Sequence, residues 1–317
     1  MTHPALYLDR DKLLQLLNPT EALGAVQDFF ASHGREQVAV PTRIHLPVPG
    51  VNTMGLYMPA ATASYVGVKI VHLMPERRPA VEAEVFLYDA ETGKLLFWGD
   101  GKPLTALRTA AVSTAATVAL RKNLGETVVF GAGVQAAAHI EAFRSAYPDL
   151  KHISVVARSP ESFTRLQGML SEESKQIVQL ATDTQAVVKS ADCIVATTPA
   201  GEPLFDWADV TPDVHVVGIG SATPAMNELP PETFAACQVW LDTEAALKEA
   251  GDCLKATEQG WDGTKRAGDL FDLLGGNTQE PSGQPTLFKS VGHAAQDLAI
   301  LVRLWERAQD SGLVDKS

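Results

Sequence analysis

The sequence predicts an α/β chain in two domains, on three observations. A short apolar run, Val128 to Phe130, ends in Gly131-Ala-Gly133-Val-Gln-Ala136. After it, short apolar segments alternate with segments of helical spacing. Before it, from Pro41 to Trp98, apolar and polar residues alternate with a period of two. Period-two alternation marks a half-buried, mostly antiparallel sheet, whereas strands interleaved with helices mark a parallel one. The expected fold is a Rossmann doubly wound nucleotide-binding domain plus an α+β domain built from the N-terminal part and the last helix. Residues 1–122 and 291–317 are assigned to the α+β domain, and 123–290 to the nucleotide-binding one.

The elements follow in order. Asp9 to Leu17 suits a short helix with Leu13, Leu14 and Leu17 inward. Asn18-Pro19-Thr20-Glu21 starts a second helix, with Asn18 as cap and Glu21 reaching back to it. That helix carries Leu23, Val26, Phe29 and Phe30 and stops at Gly34. Strands are expected at Thr42 to Leu46, Gly55 to Met58, Tyr65 to Val71, Val85 to Tyr88 and Leu95 to Trp98. Asp89-Ala-Glu-Thr-Gly93 is the hairpin turn between the last two. Thr105 to Lys122 is an alanine-rich helix whose small residues suit close packing.

In the second domain, helical spacing from Gln135 to Tyr147 leads to a strand at Ile153 to Ala157 and a helix from Ser159. Further strands are expected at Ile177 to Leu180, Cys193 to Thr198, His215 to Ile219 and Gln238 to Leu241. Glu280 to Pro285 reads as a polar connection, and Val291 to Gln309 as a long helix returning to the first domain.

Composition narrows the function classes. The 317 residues carry a formal net charge of −12, which argues against nucleic acid or an anionic membrane as partner. Local charge, not the total, decides whether a small anion binds. Three widely spaced cysteines, Cys193, Cys237 and Cys253, make neither a disulfide framework nor a metal cluster and suit a reducing compartment. The N-terminus lacks a signal peptide's basic segment and apolar run, and no apolar stretch reaches membrane-spanning length. The expectation is a soluble cytoplasmic protein without a metal.

The glycine run points to a dinucleotide. Gly131 permits the tight turn, Gly133 lets backbone approach a pyrophosphate, and Ala136 lets helix and strand pack closely. The helix N-terminus adds unpaired N–H groups and a positive dipole end. A Gly-rich turn without ligand is the bland alternative, which the order strand, turn, helix, strand disfavours. The second strand ends Ala157-Arg158-Ser159, with no acid to take a ribose 2′-hydroxyl. A guanidinium and a hydroxyl suit a 2′-phosphate instead, so NADPH is expected and NADH is less favoured. Ser159 also suits the cap of the helix starting at Pro160, and both roles are compatible.

Three basic residues stand out in the first domain: Arg43 in Pro-Thr-Arg-Ile-His, Lys69 in Gly-Val-Lys-Ile-Val, and Arg108 in the alanine-rich helix. A lysine in an apolar strand is costly unless paired or near a ligand. Lys69 either meets a ligand or is explained by snorkelling or by pairing with Glu82 or Glu84.

Five runs now occur in order: Gly67-Val-Lys69-Ile-Val, Asp89-x-x-Thr-Gly93, Leu104-Thr-Ala-Leu-Arg108-Thr-Ala-Ala, Gly131-Ala-Gly133-x-Gln135 and Phe288-Lys-Ser290-Val-Gly292. Together they resemble the ornithine cyclodeaminase/mu-crystallin family over nearly the whole chain. The resemblance implies a homodimer held by the first domain and last helix, with the active site in a cleft between domains. It implies that Arg43, Lys69 and Arg108 grip the α-carboxylate of an amino or imino acid, with Met58 and His293 lining that pocket. His293 is otherwise a packed helix residue. Implied cofactor contacts are Arg108, Thr109, Gly131, Gly133, Val134, Gln135, Arg158, Ser159, Thr198, Gly220, Ser290 and Gly292.

The departures matter as much. Ornithine-cyclising members carry an acid three residues before the Met-Pro proline and another within Gly-Gly-Asp-x-Pro. Here Leu56 precedes Tyr57-Met58-Pro59, and the second run reads Gly220-Ser221-Ala222-Thr223-Pro224. Without those acids a cationic δ-amine lacks a partner and a deaminating water lacks a base. The imine reductases of the family also lack the second acid. The expected activity is therefore NADPH-dependent reduction of a small cyclic α-imino acid, such as Δ1-pyrroline-2-carboxylate or Δ1-piperideine-2-carboxylate. Alternatives are an NAD-recycling ornithine cyclodeaminase-type ammonia-lyase, an amino acid dehydrogenase or acyclic-imine reductase, and a non-catalytic NADPH-binding crystallin-like protein.

Overall fold

The computed structural model describes residues 5–276 and 283–314. They divide into two compact units, one made of the chain up to Thr109 and from His293 onward, the other of Ala110–Gly292. The division falls inside the alanine-rich helix.

The first unit opens with β1 (Leu6–Leu8), α1 (Arg10–Leu16) and α2 (Pro19–Ser32), followed by β2 (Ile44–Pro47), β3 (Met54–Ala61), β4 (Tyr65–Leu73), β5 (Val81–Asp89) and β6 (Leu95–Asp100). Helix α3 (Gly101–Leu120) follows. The six strands form one sheet in the order β1-β6-β5-β4-β3-β2, antiparallel except for β1 beside β6. The three-residue β1 has no alternation to betray it, because its pairing with β6 is set by partners 91 residues away in sequence (Leu6 opposite Phe97).

Asp9 caps α1, accepting from the Lys12 N–H at 2.9 Å. Leu13 and Leu17 are buried, but Leu14 is 42% exposed, contrary to expectation. A seven-residue helix at 3.6 residues per turn turns position i+1 away from the face that i and i+4 share. The Asn18–Glu21 capping box forms as expected, and α2 buries Ala22, Ala25, Val26, Phe29 and Phe30, while Leu23 is only half-buried.

The second unit runs β7 (Thr127–Phe130), α4 (Val134–Ala146), β8 (Ile153–Val156), α5 (Pro160–Gln167), α6 (Glu172–Lys175), β9 (Val178–Leu180), α7 (Thr184–Lys189), β10 (Cys193–Ala196) and β11 (His215–Gly218). Then come α8 (Glu232–Ala236), β12 (Gln238–Leu241), α9 (Ala246–Glu249), α10 (Gly251–Glu258), β13 (Gly268–Asp269), α11 (Leu270–Leu274) and β14 (Thr286–Lys289). All eight strands are parallel, in the order β13-β12-β14-β11-β10-β7-β8-β9. The order reverses between β7 and β10, and a doubly wound sheet opens its binding crevice at such a switch point.

Strand β14 is an element the sequence reading did not place: Thr286–Lys289, just after the polar connection, is a fully buried strand wedged between β11 and β12. Of the connection itself, 280–282 lie outside the described residues. The sheet core is Val128, Phe130, Ile194, Ala196, Val216, Leu241 and Leu287, apolar because helices cover both faces.

Helix α12 (Ala294–Asp310) returns to the first unit and packs on β4, β3 and α2. Gly67 makes that approach possible: a Cβ there would stand 2.9 Å from Leu298 and 3.1 Å from Leu301.

Candidate functional site

The turn after β7 is built as the glycines require. Gly131 has φ +112°, and a Cβ there would stand 2.5 Å from the Thr197 hydroxyl. Gly133 caps α4 with open space where its side chain would be, and Ala136 is fully buried. Val134, 61% exposed, and Gln135 form the first turn of α4. A cavity of about 450 Å³ opens at this turn. It is bounded by 130–133, by Thr197 to Ala200, and by Val156 to Arg158 with Ser162 and Arg165. Gly131, Gly133, Arg158 and Thr198 therefore share one cavity. Backbone without Cβ atoms, a helix N-terminus and an arginine are the donors a dinucleotide's phosphates need, so these residues fit such a group.

Ser159 accepts the Ser162 N–H at 3.3 Å, capping α5. Its hydroxyl, beside Glu161, helps hold that exposed carboxyl below the usual range. On the side of the cavity wall that Arg158 and α5 form, the hydroxyl residue is Ser162.

Buried charges tie down the loops at the ends of β10, β11 and β14. Glu228, fully buried, accepts the Gly220 N–H (2.6 Å) and Ser221 N–H (3.2 Å) on one oxygen and the Thr198 N–H (2.9 Å) on the other. Lys289 lies 2.9 Å from Asp252 and 3.9 Å from Glu228, and all three are 0% exposed. Asp252 in turn accepts the N–H groups of Glu228 and Leu229. Burial pushes the Glu228 carboxyl up, against the pull of Lys289. For Lys289 burial acts downward, but Asp252 and Glu228 outweigh it and hold the ammonium above the ordinary lysine value. Asp242 accepts from the Ser290 hydroxyl and the Gly292 N–H, both at 2.7 Å.

In the first unit, the basic residues singled out from the sequence come together. Lys69, 2% exposed at the centre of β4, sits opposite Met58 on β3 and Val85 on β5. Its ammonium is 2.9 Å from Oδ1 of Asp297, in the first turn of α12. The same oxygen is 3.0 Å from Nε of Arg108, which is 5% exposed and donates through Nη1 to Gln296 at 2.7 Å. Arg43, half-buried just before β2, adds its charge to the surroundings of Lys69. Burial first, then Arg108, pull the Lys69 ammonium down to about 8, with Asp297 opposing them. Thr109 spends its hydroxyl on the Thr105 carbonyl (2.7 Å), and His293 stands half-buried at the N-cap of α12.

Glu82 and Glu84 are not the partners of Lys69. They face His72 and Ile70 in the ladder and so project from the opposite side of the sheet, where Glu82 meets Lys102 at 2.5 Å.

A model of the ornithine cyclodeaminase/mu-crystallin family matches residues 8–312. The chain belongs to that family. It is 28% identical to the Δ(1)-pyrroline-2-carboxylate reductase of Bacillus cereus, over 98% of this chain and 99% of that protein. It is 32% identical to the ketimine reductase mu-crystallin of Mus musculus, over 69% of this chain and 67% of that one. The structure of Thermococcus litoralis Δ(1)-pyrroline-2-carboxylate reductase in complex with NADH and L-proline superposes with a TM-score of 0.89 at 27% identity, covering 97% of this chain and 98% of that one.

Against the family pattern, Leu56 lies on β3 and Ala222 in the loop after β11. The carboxylate that does reach this loop is Glu228, and backbone N–H groups and Lys289 already engage it. Among the described residues no cluster of three or more His, Cys, Asp or Glu could hold a metal, and no helix is long and apolar enough to cross a membrane. Sequence reasoning missed Asp297 and Gln296. The available signal was a charge among Ala294-Ala-Gln-Asp-Leu-Ala-Ile-Leu, the same anomaly that singled out Lys69.

Proposed function

We propose that this family member reduces a small cyclic α-imino acid, Δ1-pyrroline-2-carboxylate or Δ1-piperideine-2-carboxylate, with NADPH. The observation that carries the reading is the buried arrangement of Lys69 and Arg108 on one oxygen of Asp297, with Arg43 nearby. A buried lysine with a lowered ammonium, set among two arginines and one carboxylate, marks a candidate site for an anionic substrate. Arg43 and Arg108 take the substrate carboxylate, Arg108 kept in place by Gln296 and Asp297. Lys69, its ammonium brought down to about 8, gives or orients the proton on the imine nitrogen. A protonated imine draws electrons toward nitrogen and leaves C2 electrophilic. Bound NADPH supplies the hydride that C2 accepts, so one proton and one hydride give the cyclic amine. Met58, opposite Lys69, supplies apolar wall beside the ring, and His293 is assigned to the same pocket.

The pyrroline-2-carboxylate reductase and ketimine reductase names of the relatives support the substrate class. Gly131, Gly133, Thr198 and Arg158 are assigned to the cofactor, with Val134, Gln135, Gly220, Ser290 and Gly292 through the loops described, and Arg108 and Thr109 from α3. The apolar residues Ile44, Leu46, Val48 and Val51, exposed on and beside edge strand β2, support a homodimer. The deciding experiment is NADPH oxidation against a panel of cyclic and acyclic imino acids. The cyclic five- and six-membered substrates are expected to turn over fastest, and oxidation with none of the panel refutes the reading.

Two predictions arise here. Ammonia release from L-ornithine with catalytic NAD is expected to be negligible, since Leu56 and Ala222 offer no carboxylate. Turnover matching imine reduction would favour the ammonia-lyase instead. Arg158→Ala is expected to raise the NADPH Michaelis constant about 10- to 150-fold with little change in kcat. The 2′-phosphate is remote from the reacting carbon and contributes equally to ground and transition states. An unchanged NADPH-to-NADH ratio in the variant would place Arg158 outside the cofactor site.

A further inference from the structure

We propose that Arg165 and Ser162 complete a 2′-phosphate clamp with Arg158, an inference that rests on the NADPH reading above. Arg158 ends the segment after β8 and is exposed, and one planar guanidinium pairs with a phosphate through a single fork, leaving other phosphate oxygens for a second donor. The cavity wall continues beyond it on α5, where Ser162 and Arg165 stand one turn apart and both face the cavity. Nη2 of Arg165 donates to the Ser162 hydroxyl at 2.9 Å, which fixes the guanidinium against that wall. A guanidinium has five N–H donors, so this one bond leaves others for an anion.

Ser159, the hydroxyl that the sequence brings next to Arg158, is engaged as the cap of α5. Its place as phosphate ligand passes to Ser162, which is on the wall. Glu161 is the acid nearest in sequence and would by itself repel a phosphate. It does not line the cavity, and the charge of Arg165 bears on it directly. Arg165 therefore has two effects: it offsets Glu161 and supplies a second planar fork for the phosphate oxygens.

The test is calorimetric binding of 2′,5′-ADP and 5′-AMP, which differ only in the 2′-phosphate, to the full chain and to Arg158→Ala, Arg165→Ala and the double variant. Arg165 is exposed, so its replacement is not expected to disturb folding, and circular dichroism checks this. The wild type should bind 2′,5′-ADP the more tightly. Each single variant should weaken 2′,5′-ADP about tenfold while leaving 5′-AMP unmoved, and the double variant should bind the two alike. Unchanged 2′,5′-ADP affinity in Arg165→Ala, with a loss in Arg158→Ala, overturns the role of Arg165 alone. Equal affinity of the wild type for both nucleotides overturns the NADPH reading itself.

Discussion

Lys69→Met is expected to fold and to lose about 2 to 4 kcal/mol of transition-state stabilisation, roughly 30- to 1,000-fold in kcat/KM. Methionine keeps most of the side-chain volume, so β4 stays packed against α12 while the ammonium is lost. Asp297 is not stranded by the change, because Arg108 remains 3.0 Å from the same oxygen. What disappears is the proton donor, and in this reading only the transition state needs it. The pH dependence gives an independent check. Lys69 is protonated below about 8 and neutral above it. An activity that needs the protonated form should be at its plateau on the acid side of 8 and fall as pH rises through it. The variant should lack that limb. Arg43→Ala should show a different pattern, with most of its loss in KM, since a carboxylate contact is present before and during reaction alike. Wild-type rates in correctly folded Lys69→Met would end the assignment of Lys69 to the chemistry.

Much of this was legible in the residues, and the remainder was illegible for identifiable reasons. The parallel sheet followed from strands such as Thr127–Phe130, apolar at nearly every position because both faces are covered. The glycine turn could be placed because Gly131 needs a backbone conformation that other residues avoid. Lys69 and Arg108 stood out because charge in an apolar run is expensive. Their partner did not, because Asp297 is 228 residues from Lys69 and only the return of α12 onto β4 brings it there. Glu82 and Glu84 were nearer in sequence, yet strand parity put them on the wrong face. Strand β14 escaped for a similar reason, since parallel neighbours far apart in sequence leave no hairpin signal. The acids beneath the nucleotide loops were equally hidden. Glu228 and Asp252 lie in unremarkable polar surroundings, and only folding removes them from water.

That removal sets up the largest stability effect expected in the chain. Lys289→Met should destabilise the second unit by about 3 to 5 kcal/mol, a fall on the order of 10 °C in its thermal midpoint. The methionine fills the space of the lysine stem, so the loss comes from charge rather than from a cavity. Two carboxylates, Asp252 and Glu228, would be left in a fully buried site with no cation between them. Backbone N–H groups still bond both, which moderates the penalty but does not neutralise it. The pH sign follows from Glu228, whose folded carboxyl lies above its unfolded value. Such a group binds more protons folded than unfolded, so lowering the pH favours the folded state. Without Lys289 that upward shift grows, and the deficit of the variant should be largest at alkaline pH and shrink as pH falls. Adding Asp252→Asn should recover part of the loss, because one of the two repelling charges is then gone. Thermal midpoints of wild type, Lys289→Met and the double variant across pH 5 to 9 measure all three effects. A deficit that stays the same across this pH range would show that Lys289 stabilises by packing, not by compensating the buried acids that hold Gly220 and Thr198 in place.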